Sequence, residues 1–183
     1  MASPQALSET DRRTVAAWAA DCAERVLFLF EAEAPEDGRP REAIARARAY
    51  ARGELDSAGE IRRRFVAGRA AQSVTSSAAV AAARSAAQAS GVAHMGAHAL
   101  GAAAYAAKAV GLAGARGDSD TSDEVAWQVE HMSPEVRAAL AALPPLGEDP
   151  AGPLGSGLLA SGVLGSVIRD IQGRVGSTSL RRQ

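Results

Sequence analysis

An intrachain disulfide is excluded at the outset, because Cys22 is the only cysteine. A lone thiol points to a reducing compartment. Lysine is nearly missing: Lys108 stands alone among nineteen arginines. Arginine, alanine and glycine all have GC-rich codons, so a GC-rich bacterial genome explains this bias more simply than guanidinium chemistry does. Aromatics are just as scarce, with Trp18, Phe28, Phe30, Tyr50, Phe65, Tyr105 and Trp127 making the whole set. That leaves little for base stacking, and a net charge of −1 argues against a nucleic-acid coat or a polybasic membrane anchor. No apolar run is long enough to span a bilayer. The nearest, residues 154–168, is short and ends at Arg169 and Asp170. No basic stretch followed by an apolar run opens the chain, so the expected location is the cytoplasm. Strand-forming residues never cluster with period two, and no glycine-rich segment carries the lysine and hydroxyl of a phosphate loop.

What the chain does hold is alanine, 44 residues of 183. Alanine loses no side-chain entropy in a helix and lets helix axes approach closely. The fold expected is all-α, a compact multi-helix bundle of about six helices, and a domain of ~150 residues can bury roughly 70% of its unfolded surface. Ser8 and Asp11 resemble a capping box, and the first helix should reach about residue 34, with Val15, Trp18, Cys22, Val26 and Leu29 inward. Pro40 fits the first turn of a second helix carrying Ile44, Ala47 and Ala51 inward and ending at Gly53. Ser57 and Glu60 open a third through Ile61, Phe65 and Ala70, with a break over 73–77. A fourth helix over 77–90 and a fifth over 92–112 follow. Residues 114–120 read as a loop, Ser122 as a cap, and Pro134 as the start of a short helix ending near Leu143.

Composition changes after Leu143. Four prolines and four glycines over 144–157 read as a linker. Leu159, Val163, Val167, Ile171 and Val175 then give a helical stripe, weakened by Gly162, Gly165 and Gly173 at ~1 kcal/mol each. The division expected is a helical domain over 1–143, the Pro/Gly linker over 144–157, and a marginal amphipathic extension over 158–183 that ends frayed at Arg181, Arg182 and Gln183.

Charge is uneven. Nine arginines face four acids over 39–69, while residues 118–135 hold six acids and no lysine or arginine. The arginine flank reads as a solvated face, and Asp21, Glu24 and Arg25 as partners for arginines of the second helix. His94 and His98 form H-x-x-x-H on the fifth helix, a spacing that can supply two metal ligands. Met95 stands where a zincin would need glutamate, and no third ligand is near in sequence, so a hydrogen-bonded pair is the simpler reading. Cys22 falls on the apolar stripe and reads as core rather than nucleophile.

These segments resemble, in order, a bacterial family of immunity proteins from polymorphic toxin systems, an Imm-5-like helical domain. The resemblance rests on W-A-A-D-C-A-E-R-V-L at 18–27 with Phe30 and Glu31, D-G-R-P-R at 37–41, Ala43 and Ile44, and A-R-G-E at 51–54. It continues in A-H-M at 93–95, H-A-L-G-A-A-A-Y at 98–105, and Trp127 with Gln128. It covers about residues 10–143. It implies a small cytosolic helical protein, without enzymatic activity or cofactor, that binds a cognate toxin protein and blocks it. Asp21, Glu24, Arg25, Arg39, Arg41, Arg52, Glu54, His94, His98 and Tyr105 match the family's shared polar set. Phe28 stands where the family would have proline, which favours a straighter first helix, and the segment from Pro144 onward is an addition to the family pattern. Two other readings stay open: a metal-dependent hydrolase using His94, His98 and a carboxylate such as Asp21, and a helical scaffold forming a homodimer through its alanine face. No nucleic acid or membrane is expected as a partner.

Overall fold

A computed structural model describes residues 3–63 and 65–180, without the side chains of 61–63 and 178–180. Among the described residues all regular structure is helical: α1 (Glu9–Glu31), α2 (Arg39–Ala51), α3 (Ser57–Arg63), α4 (Val66–Ala70), α5 (Ser77–Gly91), α6 (His98–Ala113), α7 (Asp118–Glu130), α8 (Pro134–Ala141) and α9 (Gly162–Leu180). Nine helices replace the expected six or so, partly because the third breaks into α3 and α4, followed by a 3₁₀ turn at Ala71–Ser73. Ile61's inward side chain and the fraying of Arg181, Arg182 and Gln183 lie outside the described residues.

The N-cap half of the expected box forms: Ser8 Oγ accepts from the Asp11 amide at 3.1 Å, while the Asp11 carboxylate accepts from the Ser8 hydroxyl at 2.7 Å rather than from the Ser8 amide. Val15, Trp18, Cys22 and Val26 are buried and Leu29 is half-buried. α1 ends at Glu31, short of residue 34. At α3 it is Asp56, not Ser57, that accepts from the first turn, through the Gly59 amide at 2.7 Å. Ser122 caps nothing. α7 begins four residues earlier, and the Ser122 hydroxyl bonds back to the Asp118 carbonyl.

α1, α5 and α6 form the centre. α6 is buried over 99–107 on all sides, as a helix wrapped by others must be. Alanine makes this possible: the Ser85 hydroxyl of α5 reaches the Ala102 carbonyl of α6 at 2.7 Å, a contact that larger side chains would hold apart. α2 packs on α1 and α5, α4 on α5, α7 and α9 on α6, and α8 on α1 and α9.

α6 starts six residues later than expected. The amides of Gly96 and Ala97 donate to the carbonyls of Ala6 and Gln5, each at 3.1 Å, so residues 92–97 turn under an N-terminal strap instead of joining the helix. The strap needs Gly96, where a Cβ would stand 2.5 Å from Leu7 Cδ1. His94 therefore lies ahead of the helix on which His98 is the first residue, and the pair does not share a helix face.

The region beyond Leu143 also differs from expectation. Leu146 and Leu154 are buried, and the buried Gln5 amide clasps the loop between them. Gln5 Nε2 donates to Asp149 (2.7 Å) and the Ala151 carbonyl (2.8 Å), while its Oε1 accepts from the Leu154 amide (2.9 Å). A 3₁₀ turn at Leu158–Ala160 carries the buried Leu159, and α9 buries Leu164, Val167, Ile168, Ile171 and Val175 in the same core as α1 and α6. Val163, expected inward, is 36% exposed. Burying five aliphatic side chains at ~1.5–3 kcal/mol each outweighs the helix's four glycines at ~1 kcal/mol each, so the helix forms where propensity alone would leave it marginal.

Candidate functional site

Most of the ten polar positions resolve into separate ion pairs. Arg48 of α2 donates to Asp21 (2.8 Å) and to Glu24, which joins α1 to α2 as expected. Arg41 holds Glu31 through two bonds of 2.7 Å, and Arg52 holds Glu54 at 2.6 and 2.7 Å. Arg39 holds Asp37 at 2.8 and 2.5 Å, and this pairing, helped by the Ser73 hydroxyl, keeps Asp37 well below the usual carboxylate range. Solvent screens such exposed pairs, so they add little to stability. Of the arginine flank, Arg39, Arg41, Arg46, Arg48 and Arg52 are thus locally neutralised by carboxylates.

Arg25 is different. It grips the buried carboxylate of Glu124 on α7 through Nε and Nη2, and lies over the ring of Trp127, which stacks on His131 with centroids 4.0 Å apart.

His94, His98 and Tyr105 are the three that meet. They border a cleft of about 840 Å³ between α4, α5, the start of α6 and the loop ahead of α9. His98 lies against the end of α5, where a Cβ on Gly91 would come within 2.9 Å of its ring. Its Nδ1 is 2.8 Å from Gln88 Oε1, and the two imidazole centroids are 6.4 Å apart. Tyr105 is buried on the cleft floor and its hydroxyl accepts from Arg84 at 3.4 Å. A second cavity of about 250 Å³ adjoins the first, sharing Tyr105 and Leu158 with it, and is bordered by Arg84 and Lys108.

Sequence reasoning missed the cleft's walls. Phe65, expected within the third helix at a core or boundary position, stands instead as the cap residue of α4 and is 61% exposed. Leu158, also 61% exposed, comes from the segment read as an extension. Large apolar side chains on either side of one cleft are a signal only tertiary structure can assemble.

Chemical machinery is sparse. Among the described residues no three histidine, cysteine, aspartate or glutamate side chains converge as metal ligands. Asp21, offered as a third ligand, is committed to Arg48. Cys22 is fully buried, and burial with the nearby Glu124 and Asp21 charges pushes its thiol pKa well up. No described helix is long and apolar enough to cross a membrane.

Comparison with known proteins adds the family. Residues 5–135, more than two thirds of the chain, match the model of the family described as "Imm-5 like putative immunity protein", and the chain belongs to that family. No curated protein and no solved structure matches it significantly.

Proposed function

We propose that this member of the Imm-5-like family neutralises a cognate bacterial toxin by binding it in the cytoplasm of the producing cell, without turnover. The observation that carries this reading is the cleft itself. Three of the polar positions singled out by the resemblance line it beside Phe65 and Leu158, two of the six large apolar side chains that stand exposed among the described residues and the two that share one cleft. Exposed aromatic and aliphatic groups beside polar donors have the make-up of a protein-binding hot spot. The closely packed α1, α5 and α6 would present that face preformed, which lowers the ordering cost of association. The sealed Cys22 thiol and the dispersed carboxylates support binding over catalysis.

The test is genetic and biochemical. Deleting the gene in the native host should sensitise cells only when the linked toxin is present, and the tagged protein should recover that toxin. A Phe65→Ala, Leu158→Asp double variant should keep its helical circular dichroism and lose protection. No toxicity on deletion together with no toxin recovered would overturn the reading.

A further inference from the structure

We infer that the cleft takes an acidic segment of the partner protein, one that alternates carboxylates with apolar side chains. The inference rests on the immunity reading only for which protein supplies that segment. It starts from a segregation of charge. The chain has 21 acids against 20 lysines and arginines, yet neither of the two adjoining cavities has an aspartate or glutamate among its lining residues. Three cations border them: Arg69 on the first, Arg84 and Lys108 on the second.

These cations also differ from their neighbours in what they touch. Arg39, Arg41, Arg46, Arg48 and Arg52 are each held by a carboxylate. Among the described residues no carboxylate engages Arg69, Arg84 or Lys108, and the Arg84 contacts are the hydroxyl and ring of Tyr105. Glu33, which bonds the lining residue Thr75, has its carboxylate taken up by the Thr75 and Ser76 amides and the Thr75 hydroxyl. Glu33 keeps its charge, but three cations against this one neighbouring carboxylate leave the groove net positive, and an anionic partner is steered to it.

The apolar half of the recognition comes from Phe65 on one side and Leu158 with the buried Leu159 on the other. That second wall lies beyond residue 135, outside the matched segment, while Phe65 and the three cations lie inside it. A nucleic acid fits less well, because three cations and a floor of Tyr105, Met95 and Pro153 offer few phosphate contacts and much apolar area.

A fluorescein-labelled peptide repeating Glu-Phe-Glu-Leu over twelve residues tests this by anisotropy, beside three controls. These are the same peptide with lysine for glutamate, one with serine for its apolar residues, and a twelve-nucleotide oligothymidylate. The acidic apolar peptide should bind with amide shift changes at Arg69, Arg84, Lys108 and Leu158, and the lysine peptide at least about tenfold more weakly. Binding should weaken with salt. The triple variant R69E/R84E/K108E should bind it about 30-fold or more weakly. R84Q/K108Q, milder and at surface positions, should show a smaller loss with an unchanged thermal melt. Equal binding of the lysine peptide, tighter binding of the oligonucleotide, or no loss in either variant would overturn the inference. Should the toxin be recovered and bind the triple variant as tightly as the wild type, this inference falls and the immunity reading stands. Should the peptide bind as expected while no toxin is recovered, the reverse holds.

Discussion

The guanidinium of Arg25 sits 3.7 Å from the centre of the Trp127 ring, tying the middle of α1 to the last turns of α7. Glu124 fixes it there, and the same carboxylate accepts from Gln128 Nε2 at 3.3 Å. The arrangement is charge-assisted, planar and partly desolvated.

Arg25→Ala should therefore lower stability by about 2 kcal/mol, since it leaves the Glu124 carboxylate buried with only Gln128 to answer it. Arg25→Lys should recover less than half of that, because an ammonium can neither fork the carboxylate nor lie flat on the indole. Urea midpoints measure both. Full recovery by lysine would show that charge alone suffices.

The Cys22 thiol should be inert in the folded protein. It is 0% exposed and its pKa is raised, so at pH 8 a thiol reagent such as Ellman's should label it only at the rate of unfolding. Labelling in seconds under native conditions would contradict the packing of α1.

Glu33 accepts from the first amides of the α5 entry, and those bonds lower its pKa from 4.5 to about 2. A carboxyl depressed on folding stabilises fully above its unfolded value and loses that contribution as pH falls through the folded one. The window is thus about pH 4.5 down to 2. Glu33→Gln should flatten the stability curve there and leave its slope above pH 5 unchanged. Identical acid limbs in thermal melts would refute the assignment.

The docked C-terminal helix predicts that Ile171→Ala, at a fully buried position, costs about 2–5 kcal/mol. A chain ending at residue 143 should lose cooperativity and bind a hydrophobic dye, because the α6 face that α9 covers would be exposed. An unchanged melt for the shortened chain would mean that 144–180 adds nothing to the core.

The helical class, the N-cap of the first helix and the break over 73–77 were legible because they follow from local chemistry: propensity, caps and a three-to-four spacing. The pairing of Asp21 and Glu24 with the second helix was legible too, from charge on facing flanks. What sequence could not supply was contact between distant segments. The start of α6 is set by carbonyls of residues 5 and 6, nearly a hundred positions away, so the periodicity through His94 pointed to a helix that does not begin there. The cleft needs Phe65, Tyr105 and Leu158 together, and each alone looks like an ordinary core or linker residue.

Gln5 is not among the residues lining the cleft, yet it holds from behind the loop from which Gly152 and Pro153 reach the cleft wall. Trimming the first seven residues would unseat that wall and so weaken the proposed recognition by leverage alone. Deletion mapping would then credit the amino terminus with a binding role belonging to atoms it merely braces, and point substitutions inside the groove are the safer way to chart it.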